Sequence, residues 1–181
     1  MYFWIGRHES SGGVKKDHFE TGIELAKKAI SLEPNEAGGH FWLGGNSGAL
    51  AEALAFWPWL LPRKVSLVGD FRREMQSVLR LDPAFGGGGA YLALGRYYLE
   101  KPLPNPQEAE RFLEEAVQAA PMLLCNQFYL GKAYARLGKL DLARQKRTHV
   151  LEAPVAPDHV PEDKHCKEEA RTWRIDERPT E

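Results

Sequence analysis

The sequence predicts an all-α protein, a solenoid of stacked helical hairpins closed by a C-terminal capping helix, and three observations carry that expectation. Small residues recur at matching places: Gly95 within Tyr91 to Tyr98, and Gly131 within Leu130 to Tyr134. A glycine where two helices cross lets their backbones approach, because any side chain there would hold them apart. Ala109 and Ala116 lie seven residues apart, two turns on one helical face, with Leu113 between them to fill the gap between hairpins. Pro34, Pro83, Pro121 and Pro154 close successive segments, since proline cannot continue a helix yet is pre-set for the start of another. From Leu81 to Gly138 these features come twice in nearly the same order, as a tandem repeat.

The elements follow in order. Residues 2 to 10 are expected to be helical and to stop at Ser11-Gly12-Gly13. Val14 to Leu32 carries Phe19, Gly22, Ile23, Ala26, Ala29 and Ile30 on a stripe of helical period, with Lys15, Glu20, Glu24 and Lys27 off it. Glu33-Pro34-Asn35 turns the chain into a helix over Glu36 to about Leu54. Phe56 to Pro62, with Trp57 and Trp59 around Pro58, is no helix interior; residues 55–64 are an insertion. Two readings of it stand: a loop folded back as a local plug, or an exposed apolar patch that docks a partner. Helices are then predicted over Lys64 to Leu81, with Val68, Phe71, Met75, Val78 and Leu79 inward, over Ala84 to Leu99, and over Gln107 to Ala119. Leu123 to Leu137 and Leu140 to Glu152 form the last hairpin, turned by Gly138. The repeats thus occupy residues 1–153, and residues 154–181 form a proline-rich connection and the cap. Pro161-Glu162-Asp163 reads as a helix start, and Lys164 to about Arg174 as the capping helix, with Ala170 and Trp173 covering the end of the stack.

The paired signature of Gly95 and Gly131, the Ala109-Leu113-Ala116 face and the closing prolines resembles the tetratricopeptide repeat. The closing prolines lie 49, 38 and 33 residues apart. Only the last is near the period of roughly 34 residues, so the earlier units carry insertions. A finer resemblance rests on His40-Phe41-Trp42-Leu43 with Asn46, on Glu74-Met75 leading to Leu81-Asp82-Pro83, and on Gly87-Gly88-Gly89-Ala90-Tyr91 followed by Leu94-Gly95-Arg96-Tyr97-Tyr98. These segments are similar to the T-component family of TRAP transporters, periplasmic lipoproteins and stand-alone relatives built from degenerate repeats of this type. The resemblance covers roughly residues 2 to 153. It implies a helper of the extracytoplasmic solute-binding receptor of a carboxylate-type transporter, with trimers among the family's assemblies. The family's secretory signal and lipid-attachment cysteine have no counterpart in Met1 to Gly6. Periplasmic placement is therefore expected if an export signal was lost upstream, and cytoplasmic placement otherwise.

Composition sets bounds on this reading. With 181 residues, 43% hydrophobic and 27% charged, the chain suits one soluble domain. A formal net charge of −1 gives no overall pull toward nucleic acid. The most apolar run, Ala49 to Leu61, is short and broken by Pro58, so no transmembrane segment is expected. Two cysteines, Cys125 and Cys166, make no disulfide framework, and Cys125 reads as a small buried or groove-facing residue. His149, His159, His165 and Cys166 lack the short fixed spacings of a zinc site. Gly86 to Gly89 invites a phosphate-loop reading, but no Gly-Lys-Ser/Thr follows and no strand precedes, which leaves close helix packing. No nucleophile elbow or metalloprotease motif is present, so an enzyme, a cofactor and a metal are all unexpected.

The candidate site depends on the repeat alignment. In that architecture the residue after each crossing glycine points into the concave groove, as does one about a turn earlier. Those positions are Arg7, Gly45, Arg96 and Lys132, beside Phe3, Phe41, Leu92 and Phe128, with Arg136 one turn further on. Apolar walls bearing several cations suit a small carboxylate or a peptide C-terminus. Equally, the same cations can be ordinary surface charges paired with Glu100 or Asp141. Asn46 either satisfies buried backbone or contacts ligand. The function expected is non-enzymatic binding of a solute receptor, with an anionic organic ligand in the groove. The alternative is a general scaffold for a peptide or assembly partner without a small molecule.

Overall fold

The computed structural model describes residues 12–54, 62–100, 104–155 and 160–175. Of these residues 84% are helical and none lies in a strand, which is the all-α, tandem-hairpin class expected. Phe3, Arg7, Trp57 and Trp59 lie outside the described residues. The chain divides into two compact units, Met1–Phe85 and Gly86–Glu181, a boundary that falls inside the repeats.

The first unit contains α1 (Gly12–Leu32), α2 (Ala37–Ala53) and α3 (Pro62–Leu81). Helix α3 starts two residues before the expected Lys64, because proline at the first helical position forfeits no hydrogen bond. The middle helix packs on both of its neighbours. Phe19, Ile23 and Ala26 of the predicted α1 stripe are buried with Leu43, Leu50 and Leu67. Ala29 is exposed and Ile30 only half-buried, so that stripe fades in the last turns of α1. Met75 and Val78 of α3 are 0% exposed, and each large apolar side chain so buried stabilises the fold by about 1.5–3 kcal/mol.

The second unit contains most of α4 (Phe85–Leu99), then α5 (Pro106–Ala119), α6 (Leu124–Arg136), α7 (Leu140–Glu152) and α8 (Val160–Thr172). Helix α4 is regular only from Gly89, because Gly86, Gly87 and Gly88 take φ of 58°, 65° and 75°. Only glycine visits that left-handed region without penalty. A Cβ on Gly88 would lie 2.8 Å from that of Ala119, so this segment runs hard against the end of α5. The crossing glycines show equally close approach: a Cβ on Gly95 would stand 2.4 Å from Leu113 Cγ, and one on Gly131 3.0 Å from Lys146 Cβ. Ala109, Leu113 and Ala116 are each 0% exposed, as their spacing predicts. Asn105 caps α5, its side-chain oxygen accepting from Glu108 N at 3.2 Å.

The cap α8 packs on both α6 and α7. Ala170 is buried, and Trp173 meets the Phe128 ring edge-on at 5.6 Å. Here the cysteines need correcting: Cys125 and Cys166 are joined in a disulfide that links α6 to α8. Neither is a lone small residue, because the fold brings the start of α6 against the middle of α8. Asp163, 1% exposed, accepts from Leu124 N at 2.9 Å and so supplies α6 with the N-terminal cap that its own sequence lacks. In return, Arg147 Nε of α7 donates to the Ala170 carbonyl at 2.8 Å, and Lys167 Nζ of α8 donates to that of Leu151 at 3.0 Å. The start of α6 and the ends of α7 and α8 are thus satisfied by side chains from other helices.

Candidate functional site

The second unit brings Arg96, Phe128 and Lys132 together around a residue that the sequence reading passed over, Tyr129. Leu92 and Arg96 lie one turn apart on α4, both partly buried. The Arg96 guanidinium carbon sits 4.6 Å from the centroid of the Tyr129 ring. Lys132, three residues beyond Tyr129 on α6, places Nζ 5.3 Å from that ring and 5.4 Å from the ring of Phe128. Both distances are within reach of cation–π attraction. One aromatic platform therefore holds two cations from two helices. Arg136 follows Lys132 by one turn and is exposed, extending the positive strip.

The detail of each position departs from a plain groove wall. Phe128 is 1% exposed, so it is a core residue beneath Lys132 and not a surface that a ligand touches. Arg96 keeps 31% of its side chain exposed, with the Glu100 carboxylate 3.9 Å away at the outer limit of an ion pair. Its Nε is buried and has no hydrogen-bond partner among the described residues. Asp141, the other carboxylate considered as a partner, pairs instead with Arg144 at 3.1 Å.

Two further groups lie behind this face in the same unit. Lys146 Nζ donates to Gln127 Oε1 at 2.7 Å, and Gln127 Nε2 donates to the Pro121 carbonyl at 3.0 Å. Burial lowers the Lys146 pKa, with Glu114 opposing. Burial likewise raises that of the Tyr134 hydroxyl, reinforced by Glu114 and Glu110. These groups pack the α5, α6 and α7 layers together.

Phe41 and Asn46 belong to the first unit and are described there. Phe41 is half-buried, its ring 5.3 Å from those of both Trp42 and Phe85. Asn46 is 2% exposed, donates to the Trp42 carbonyl at 2.7 Å, and fills the crossing with α1 so tightly that a Cβ on Gly22 would stand 2.4 Å from its Oδ1. The Asn46 amide nitrogen thus serves buried backbone, while its Oδ1 is buried with no hydrogen-bond partner among the described residues. Nearby is a polar clamp whose members, His40 and Glu74, stood in separate segments of the sequence with nothing to pair them. His40 Nδ1 lies 2.7 Å from Glu74 Oε2 and its Nε2 2.9 Å from the Pro34 carbonyl, while Arg73 Nε donates to the other Glu74 oxygen at 2.9 Å.

Among the described residues no group of three or more His, Cys, Asp or Glu is placed to hold a metal ion, and no helix is long and apolar enough to cross a membrane. Fold and site together define an all-α protein of tandem helical hairpins with a cation-bearing aromatic face. No model of a known protein family matches the chain, and no curated protein matches it either.

Proposed function

We propose that this protein is a non-enzymatic binding protein of the tetratricopeptide-like helical type, acting as an accessory component of a TRAP-type solute uptake system. It engages a solute receptor and accepts a carboxylate-bearing group at Arg96 and Lys132. The observation that carries the proposal is the convergence of these two cations on Tyr129, with a guanidinium nitrogen left unpartnered among the described residues. Two cations gathered on one ring repel each other, and a bound anion offsets that repulsion. A guanidinium offers a carboxylate two parallel donors, and the ammonium a third as a point charge. The half-buried Leu92 beside them suits the apolar part of such a ligand. The Cys125–Cys166 disulfide supports placement in an oxidising, extracytoplasmic compartment, where such bonds persist.

The test is the thermal midpoint of the purified protein against short-chain mono- and dicarboxylates, peptides with free or amidated C-termini, and uncharged analogues. Binding to the folded state raises the midpoint by mass action, with about 2.7 kcal/mol of added stability at a ligand concentration 100 times Kd. A rise with carboxylates that Arg96→Ala and Lys132→Ala each abolish is expected. A rise only with peptides, whether or not the C-terminus is free, would favour the general peptide scaffold. No rise with any of them would remove the anion site.

A further inference from the structure

The Cys125–Cys166 bond joins two sulfurs of unlike exposure. Cys125, in the first turn of α6, is half-buried, whereas Cys166 in the middle of α8 is 1% exposed. A thiol in solution therefore reaches the bond at Cys125, and exposed disulfides are the ones that exchange readily. Asp163, Cys166, Ala170 and Trp173 follow one another at spacings of three, four and three residues, a single face of α8. Trp173 prolongs the last turn of that helix, its N–H donating to the Glu169 carbonyl at 2.9 Å. The face presents one carboxylate, one sulfur, one methyl group and one ring. Without the S–S bond, a helix of 13 residues keeps only a few ties to the stack.

That face reaches the cation site. The Trp173 ring meets Phe128 edge-on at 5.6 Å, and its Cζ3 lies 3.5 Å from where a Cβ on Gly131 would stand. Phe128, 1% exposed, meets Tyr129 edge-on in turn, with centroids 5.2 Å apart. Lys132 Nζ stands over both rings, 5.4 and 5.3 Å from their centroids, and the Arg96 guanidinium lies 4.6 Å from that of Tyr129. Trp173, Phe128 and Tyr129 are thus three rings in series, running from the end of the disulfide-held helix to the two cations. Rings packed edge to face shift as a set, because a close-packed core leaves no room for one to move alone.

We infer that the disulfide is a redox latch on the Arg96–Lys132 site. Closed, it clamps α8 so that Trp173 holds Phe128 beneath Lys132; opened by a dithiol, it frees α8, uncovers Phe128 and loosens Tyr129 and Lys132. The opening is a thiol–disulfide exchange. A thiolate of the reductant attacks Cys125 Sγ, the S–S bond breaks, and Cys166 leaves as a thiolate and takes up a proton. The reductant's second thiolate then closes on its own bound sulfur, and Cys125 leaves in the same way. Two electrons and two protons pass to the chain, and the reductant becomes a disulfide. That the loosened site holds anions less tightly rests on the carboxylate reading above; the movement of Lys132 does not.

The experiment places isotope-labelled methyl groups on the lysines of the full chain by reductive methylation, which keeps their charge, and assigns the Lys132 resonance with Lys132→Arg. In the oxidised protein that resonance should be displaced by the ring currents beneath it. Dithiothreitol should remove much of the displacement, and reoxidation should restore it. Cys125→Ser/Cys166→Ser should show the reduced position with or without dithiothreitol. Trp173→Ala, which keeps the disulfide, should move the resonance the same way, so the route is tested in a chain that stays stapled. Reduction should also weaken the binding of hexanoate, followed by calorimetry on unlabelled protein, about fivefold, the lower end of usual couplings between sites. Hexanoate bound by neither form would remove the carboxylate reading and leave the Lys132 resonance to decide the latch. A resonance indifferent to reduction or to Trp173→Ala, or equal hexanoate affinity in both forms, would overturn it.

Discussion

The two units secure their outermost helices by different means. In the first, α2 buries Leu43 and Leu50 with several small residues, and it meets α3 so closely that a Cβ on Gly44 would stand 2.5 Å from Met75 Cε. That interface is apolar packing plus a polar clamp, His40 to Glu74, whose side chains are 14% and 8% exposed. In the second, the buried residues of α8 are Asp163, Cys166 and Ala170, none of them a large apolar side chain. Apart from Trp173, which follows the helix and is partly buried against Phe128, α8 covers little apolar area, a weak hold for a helix of 13 residues. The disulfide, the Asp163 cap and the donors Arg147 and Lys167 make up that shortfall. A helix inside a stack is kept by its apolar faces, whereas a terminal cap, which must show a polar side to water, depends on specific ties.

The largest effect expected from breaking this contrast comes from the disulfide. It closes a loop of 41 residues, and constraint of the unfolded chain predicts a contribution of about 4 kcal/mol. The double variant Cys125→Ser/Cys166→Ser should lose most of that, and reductant should do the same to the wild type. Hydrogen exchange sharpens the comparison. Amides of α8 and the first turn of α6 should lose protection while those of α1 to α3 keep theirs. Equal loss in both units would show that the staple is not local to the cap.

Much of this was legible in the sequence, and what was not has physical reasons. Helix positions followed from glycine, alanine and proline spacing, because those residues act through local backbone geometry, and Pro106 and Pro161 fall in first turns; Pro62, assigned to the insertion 55–64, instead opens α3. The run Gly86 to Gly88 signalled close packing but not its left-handed turn, since glycine permits either hand and the choice is made by Ala119 and Leu123 packed against it. Cys125 and Cys166 had no spacing code, and neither did His40 and Glu74, separated by 34 residues. Pairings of that kind exist only once helices are stacked. In the candidate site, alignment identified the cations Arg96 and Lys132 but not Tyr129, because a buried ring that serves as a platform looks in sequence like any core aromatic.

A smaller effect is expected at the α6 cap. Asp163→Ala removes the acceptor for Leu124 N and should cost about 1–2 kcal/mol, the usual range for a lost N-cap. Asp163→Asn keeps an acceptor oxygen at the same place and should recover much of the loss, the remainder being the interaction of the carboxylate charge with the positive end of α6. Urea unfolding of the two variants reads the difference. An Asn variant no better than Ala would mean that charge, not the hydrogen bond, is what Asp163 supplies.

The gentlest test is of the first unit's clamp, by pH. Both ring nitrogens of His40 face acceptors, the Glu74 carboxylate and the Pro34 carbonyl, and a neutral imidazole has only one N–H to give. Arg73, which donates to Glu74, favours the ionised carboxylate, so the proton belongs on His40. Burial opposes that charge, but the hydrogen bonds to Glu74 and Pro34 and the attraction of Glu74 outweigh burial and the repulsion of Arg80, and the His40 pKa is raised. A folded-state pKa above the unfolded value, about 6.5, means that the folded chain holds the proton more tightly. The contribution is complete below the unfolded pKa and is lost as pH rises through the folded one. Stability of α2 and α3, followed by hydrogen exchange corrected for intrinsic rates, should therefore fall as pH rises above the unfolded value of about 6.5, and Glu74→Gln should flatten that fall. A fall that survives Glu74→Gln would assign the titration to another group and leave the clamp as packing alone.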